Sequence, residues 1–226
     1  MHHQPFFFIL KNDSLPSTTD ISINILISFL STLAALLLTL WIEKKRLPML
    51  EITVSEEDNV CCVYDYQSLN GKWKFFRVKV TNKKFPSIFS WIPRYTAQDC
   101  SAEITFTRAD NNDTSFTMKG RWVSSIELAY LSNEQKFIKS LFPDPISILP
   151  GDSELLDIFT HSERDTDAYG WNNDSYNNSW RTPQYRLEKG DYIIRVDIKT
   201  QNGIKFSKEF KATIGESIEK TILKKS

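Results

Sequence analysis

This sequence of 226 residues has few of the residue types on which most recognisable catalytic and metal sites depend. It holds seven glycines, three cysteines and three histidines. These glycines form neither a phosphate-binding loop nor a nucleophile elbow. The sequence has no CxxC pair, and His161 is the only histidine after residue 46, so a zinc site is not expected. We therefore expect no catalytic residues, no metal, no cofactor and no enzyme activity.

Net charge is also lacking. The 28 basic residues balance 28 acidic ones, and residues 47–226 hold 24 of the former and 25 of the latter. A nucleic-acid-binding domain needs a basic face, so no nucleic-acid partner is expected. The odd number of cysteines is not typical of a disulfide scaffold and fits a reducing cytoplasm. If the domain lies outside, Cys61 or Cys62 could instead pair with Cys100.

One feature is present in excess, an uncharged apolar run over residues 21–42. As a helix it is about 33 Å long at roughly 1.5 Å per residue, enough to cross a hydrocarbon core of ~30 Å. We expect a single transmembrane helix, with the lipid bilayer as its partner. The residues predicted to anchor it are Ile21, Leu30, Leu37 and Trp41 in the run and Lys44, Lys45 and Arg46 after it.

Two other interpretations of this run are disfavoured. The apolar part of a cleaved signal peptide spans about 7–15 residues behind a basic start, which this run does not match. Uncharged runs of this length are also rare in the core helices of soluble domains. Because basic residues cluster after the run, the positive-inside rule predicts an outer N-terminus and a cytoplasmic domain. The alternative is an extracytoplasmic domain.

The rest of the chain is predicted to be one antiparallel β-sandwich with one short helix. Strands are predicted from apolar residues that alternate with polar ones. The two apolar phases of residues 72–81 predict a β-bulge near Phe75 and Phe76. A capping box at Ser132 predicts the helix, with an apolar face of Phe137, Ile138, Leu141 and Phe142. The expected boundaries are a disordered tail 1–20, the transmembrane helix 21–42, a basic juxtamembrane linker 43–48, the sandwich 49–214 and a C-terminal tail 215–226.

The C-terminal third carries a resemblance. Leu187, Gly190 and Tyr192 lead into an alternating strand, and this arrangement resembles immunoglobulin-like and fibronectin type III-like domains over roughly 150–214. The resemblance implies an immunoglobulin-like all-β sandwich in which the tyrosine hydroxyl bonds back to the backbone. Such a superfold does not specify a function.

The loop over residues 161–183 is the candidate binding segment, because it is long and unusually rich in aromatic and amide side chains. Its predicted ligand- or partner-contacting residues are Tyr169, Trp171, Tyr176 and Trp180. Aromatic faces and amide donors suit sugars and peptides. The alternative is that the tryptophans cap the open end of the sandwich. A calcium loop through Asp165 and Asp167 is disfavoured, because tyrosines stand at two positions that need oxygen ligands.

A second apolar patch lies within residues 83–100, at Phe85, Ile88, Phe89, Trp91 and Ile92. It either contacts a partner or the bilayer surface, or packs over a sheet edge. Taken together, the sequence favours a membrane-anchored, non-catalytic module for protein interaction or scaffolding. The alternative function is an exported, membrane-anchored domain that binds glycan or ligand through the 161–183 loop.

Overall fold

The computed structural model describes residues 18–226 except 56–59, 64–70, 90, 111–113, 127, 129–130 and 178–179. Only the backbone is described at residues 18, 20, 21, 60–63, 89, 114 and 177. Most of the predicted tail 1–20 and the side chains of Cys61 and Cys62 therefore lie outside the described part. The chain divides into two compact units, Met1–Lys45 and Arg46–Ser226.

The first unit contains helix α1, Thr18–Arg46, except for its last residue, Arg46, which belongs to the second unit. It is long and apolar enough to cross a membrane, and its apolar stretch is not buried against the rest of the described chain. Three hydroxyls within it bond back to helix carbonyls at 2.8–2.9 Å, those of Ser31, Thr32 and Thr39. This bonding lowers the cost of polar groups in an apolar setting. The helix extends through Lys44, Lys45 and Arg46, three residues of the expected juxtamembrane linker 43–48.

The second unit is mostly β-structure. Its elements in chain order are β1 (Leu50–Val54), β2 (Val60–Val63), β3 (Gly71–Asn82), β4 (Ala97–Arg108), β5 (Thr114–Lys119), β6 (Arg121–Trp122), α2 (Asn133–Leu141), β7 (Ile146–Ile148), β8 (Ser153–Ser162), β9 (Ala168–Gly170), β10 (Arg186–Leu187), β11 (Gly190–Lys199), β12 (Lys205–Ile214) and β13 (Ile222–Lys225). Single 3-10 turns occur at Ser87–Phe89, Asn173–Asn177 and Pro183–Tyr185. Strand β13 lies within the expected C-terminal tail 215–226.

These strands form two antiparallel sheets. Sheet A has the order β1-β3-β8-β9-β10, with β2 also paired to β3 and β6 to β8. Sheet B has the order β13-β12-β11-β4-β5, with β7 also paired to β4. The hairpin β11–β12 is the longest regular pairing in sheet B, and it turns at Gly203, whose φ of +79° suits glycine. The expected antiparallel, mostly-β architecture is confirmed.

Both sheets contribute to one hydrophobic core. Sheet A supplies apolar residues at alternate positions of its strands, among them Ile52, Val78, Val80, Leu156 and Ile158. Sheet B supplies Ile104, Phe106, Ile194, Val196 and Phe210. At the entry to β11, the buried Tyr192 donates its hydroxyl proton to the Glu188 carbonyl at 3.0 Å. The bond that the resemblance implied is therefore present.

Two local predictions can be compared with the structure. The register between β3 and β8 shifts between Phe76 and Arg77, next to the position predicted for the bulge. As a result, Ile158 of β8 has no paired residue in β3. The capping box of α2 is confirmed: the Ser132 hydroxyl accepts the Gln135 N–H at 3.3 Å, and the Gln135 side chain accepts the Ser132 N–H at 3.1 Å.

Candidate functional site

The segment after β9 covers the outer face of sheet A with aromatic rings. We call Trp73, Phe75, Trp171, Tyr176 and Trp180 the aromatic cluster. The ring centroids of Trp73 and Trp180 lie 5.2 Å apart, and those of Trp171 and Trp180 lie 5.0 Å apart, both edge to face. Phe75 contacts Trp171 in the same way at 5.2 Å. Edge-to-face contact is the arrangement that aromatic quadrupoles prefer, so these rings stabilise one another.

The structure brings three of the four predicted contact residues together. Trp171 is only 3% exposed, and the half-buried Tyr176 and Trp180 rings lie beside it. Tyr169 lies in β9, where its pairing partners are Thr160 and Arg186. A ligand that stacks on Trp171 would have to displace neighbouring rings. Contact with a ligand or partner through these four residues stays a prediction.

Two arginines attach this segment by ion pairs. Arg181 donates to the Asp165 carboxylate at 2.8 Å, and its guanidinium lies 4.8 Å from the centroid of the Trp73 ring. Arg186 donates to the Asp167 carboxylate at 2.7 Å. Both carboxylates of the disfavoured calcium loop are therefore engaged by arginine. Among the described residues there is no group of three metal-binding side chains.

His161 is buried at the end of β8. Its Nε2 lies 3.0 Å from the Asp165 carbonyl and its Nδ1 lies 2.8 Å from the Thr221 hydroxyl. A carbonyl only accepts, so Nε2 carries a proton. The Thr221 hydroxyl faces Nδ1 and also lies 3.1 Å from the Ser217 carbonyl, to which it can donate its single proton. Burial lowers the pKa of His161. His161 therefore connects the start of the loop, through Asp165, to Thr221 near the C-terminus.

Beneath the aromatic cluster lies a buried ionic group that the sequence pattern did not predict. The Asp157 carboxylate accepts from Arg77 at 2.7 Å and from Arg121 at 3.0 Å. Burial raises the pKa of Asp157, while the two guanidinium groups oppose this by stabilising the charged form. The available signal was an aspartate inside an otherwise apolar strand segment, because such a residue needs a partner.

Helix α2 presents a second candidate surface. Its apolar side chains point outward: Phe137 is 64% exposed and Phe142, just after the helix, is 68% exposed. Ile138 and Leu141 are exposed on the same face. Polar contacts attach α2 to the domain, because Asn173 donates to the Lys139 carbonyl at 2.8 Å. An amphipathic helix ordinarily turns its apolar face to the core, and this one does not.

The predicted anchor residues lie along α1. Leu30, Leu37 and Trp41 are exposed, as are Lys44 and Lys45, and the Lys45 ammonium lies 5.9 Å from the Trp41 ring centroid. For Ile21 only the backbone is described, and it is helical.

Arg46 differs from the other anchor residues because it contacts the folded domain. Its Nε donates to the Pro93 carbonyl at 3.2 Å, and its guanidinium lies 4.4 Å from the Tyr95 ring centroid. The sequence carried no signal for these contacts, because the partners lie far away along the chain.

Comparisons with protein families, with curated proteins and with solved structures assign neither a family nor a function to this chain. No family model matches the chain. No curated protein and no solved structure is significantly similar to it.

Proposed function

We propose that this chain is a single-pass membrane protein that holds a non-catalytic β-sandwich at the membrane surface for protein interaction. The observation that carries this proposal is α1, whose long apolar stretch is not buried against the described chain. Exposed apolar surface is unfavourable in water by roughly 25 cal/mol per Å². A bilayer supplies the missing burial, because the uncharged run matches its thickness.

Two finer features belong to the proposal. The sandwich is immunoglobulin-like. This interpretation is supported by the hydrogen bond that the Tyr192 hydroxyl donates to the Glu188 carbonyl at the entry to β11. The domain lies in the cytoplasm, which is favoured by Lys44, Lys45 and Arg46 directly after the apolar run.

The α2 face supports the interaction role. Phe137, Ile138, Leu141 and Phe142 follow the spacing of side chains that lie on one side of a helix. Such a face is the binding element in complexes where an amphipathic helix enters an apolar groove. We therefore propose that the apolar face of α2 binds an apolar groove on a partner protein. Anchoring both proteins at one membrane would raise their effective concentration.

Membrane anchorage is tested by alkaline extraction of membranes that contain the full chain. The wild-type chain should stay in the membrane pellet. The double variant Leu30→Asp/Leu37→Asp should be released, because each aspartate near a helix centre opposes insertion by about 2.5–3.5 kcal/mol. The matched control Leu30→Ala/Leu37→Ala should stay in the pellet. Release of the wild-type chain by alkali would contradict anchorage.

Orientation is tested with one introduced cysteine. The buried Cys100 is a poor reporter, because burial and Asp99 raise its pKa to about 11. A Lys211→Cys variant in a background without the three native cysteines places a thiol at an exposed position of β12. An impermeant thiol reagent should label it only after lysis. Labelling in intact cells would overturn the cytoplasmic orientation and favour the exported alternative.

The interaction role is tested by a photo-crosslinking residue at Phe137 in the membrane-inserted chain. A defined protein adduct should form there and not from the same residue at Lys211, which is exposed elsewhere on the domain. The adduct should be lost when Ile138 and Leu141 are changed to serine. Equal crosslinking from both positions would argue against a dedicated α2 interface.

A further inference from the structure

We propose that the described residues of the segment 85–95, here called the 85–95 loop, insert Ile88 and Trp91 into the headgroup region of the bilayer that α1 crosses. This inference rests on the proposed function, because it requires α1 to span the membrane. It adds a second membrane contact, made by the folded domain itself, to the contact made by the helix.

The loop presents its two large apolar side chains to the outside. Ile88 is 80% exposed and Trp91 is 70% exposed. The adjacent Ile92 is buried and attaches the loop to the domain. The 3-10 turn Ser87–Phe89 fixes the backbone at Ile88. Tryptophan is enriched at membrane–water interfaces, where its ring meets both the acyl chains and the polar headgroups.

The loop is attached to the residues with which α1 ends. Arg46 donates from Nε to the Pro93 carbonyl at 3.2 Å, and the Tyr95 N–H donates to the Arg46 carbonyl at 2.7 Å. Arg94 donates from Nη1 to the Leu47 carbonyl at 2.8 Å. These three bonds join consecutive loop residues to the first residues of the domain, so the loop stays close to Arg46.

Chain geometry then limits how far Trp91 can lie from the bilayer. Arg46 is five helical residues from Trp41, about 7.5 Å at 1.5 Å per residue. Trp91 is two residues from Pro93, at most about 7 Å along the chain. The headgroup layer is roughly 5–8 Å thick on each side of the hydrocarbon core. If Trp41 lies at the edge of that core, Trp91 reaches the headgroups when the loop turns from Pro93 back toward the bilayer.

Charge favours lipid as the occupant of this surface. Lys44, Lys45 and Arg46 precede the domain, and the exposed Lys84 and the half-buried Arg94 lie on or beside the loop. The Arg94 guanidinium lies 4.3 Å from the Phe85 ring centroid. Basic side chains around exposed apolar ones match a surface of anionic headgroups. When α1 spans the membrane, a lipid surface lies beside Arg46, so this occupant requires no second protein.

The test uses the full chain reconstituted into vesicles of phosphatidylcholine and phosphatidylglycerol. Single cysteines replace Trp91, Ile88, Trp41 or Lys211 in a background without native cysteines, and each carries an environment-sensitive fluorophore. Labels at positions 91 and 88 should shift to shorter emission wavelength. They should also lose fluorescence with nitroxide-labelled lipids. The label at position 41 reports insertion of α1, and the label at position 211 reports water.

The outcomes separate the two proposals. If the label at position 41 is not quenched by nitroxide lipid, α1 does not span and the proposed function fails. If position 41 is quenched while positions 91 and 88 behave like position 211, the helix spans and the loop inference is wrong. If positions 91 and 88 are shielded from water but not quenched by nitroxide lipid, a protein surface covers the loop and the inference is also wrong.

Discussion

The Arg121 side chain donates a hydrogen bond to the Asp157 carboxylate over 3.0 Å, and both groups are buried. Arg77 donates to the other carboxylate oxygen at 2.7 Å. The two guanidinium groups also face aromatic rings, 5.2 Å from the Phe75 centroid and 5.5 Å from the Tyr176 centroid. A buried charge is tolerated when it is paired and hydrogen-bonded. This group therefore links β3, β6 and β8 to the segment that carries the aromatic cluster.

Removing the carboxylate should destabilise the domain strongly. Asp157→Ala leaves two guanidinium groups without their shared partner, and breaking a buried pair costs about 3–5 kcal/mol. The measurement is urea unfolding of the full chain in detergent. The control is Asp197→Ala, which removes a partly exposed pair with Arg195 at 2.9 Å and a hydrogen bond from the Ser207 hydroxyl at 2.6 Å. It should cost about 2 kcal/mol or less. Equal losses would show that the buried group contributes no more than a surface pair.

A smaller loss of stability is expected from a substitution at the entry to β11. Tyr192→Phe removes only the hydroxyl that donates to the Glu188 carbonyl at 3.0 Å. A net hydrogen bond of this kind contributes about 0.5–1.5 kcal/mol, so the free energy of unfolding should fall by about 1 kcal/mol. An unchanged urea midpoint would mean that water replaces the bond at no net cost.

The features that could be predicted from the sequence are local ones. The alternation of Tyr192, Ile194, Val196 and Ile198 has the period of a strand, and the structure pairs that strand along its full length with β12. The capping box at Ser132 depends on a residue three positions away, so it was visible in the sequence as well.

The features that were missed depend on residues far apart in the chain. The two apolar phases of β3 predicted a bulge, and the register shifts between Phe76 and Arg77. They did not show that Trp180 and Trp171 contact Trp73 and Phe75. The contacts of Arg46 need Pro93, whose position depends on the whole domain. Periodicity identifies an apolar face but does not specify what covers it.

Gly120 connects β5 to β6 at a position with no room for a side chain. A Cβ placed there would lie 2.7 Å from the Ala102 Cβ and 2.9 Å from the Leu156 Cδ1. Gly120→Ala should therefore destabilise the domain by about 1–3 kcal/mol through overpacking. The second-site variant Ala102→Gly should recover part of this loss in the double mutant, measured by thermal unfolding. Additive losses would show that the clash is relieved by movement elsewhere.

The buried His161 makes stability depend on pH. Burial lowers its pKa in the folded chain from an ordinary value of 6.5. Below about pH 6.5 the unfolded chain binds a proton that the folded chain does not, so the stabilisation present above this pH is lost as the pH falls. The slope contributed by one such proton is up to about 1.4 kcal/mol per pH unit.

His161→Gln should be less stable at neutral pH and should lack this slope. Because both chains share all carboxylates, the difference between their urea unfolding free energies from about pH 7.5 to 5.5 isolates the histidine. Parallel pH curves would mean that the folded chain takes up the proton as readily as the unfolded one.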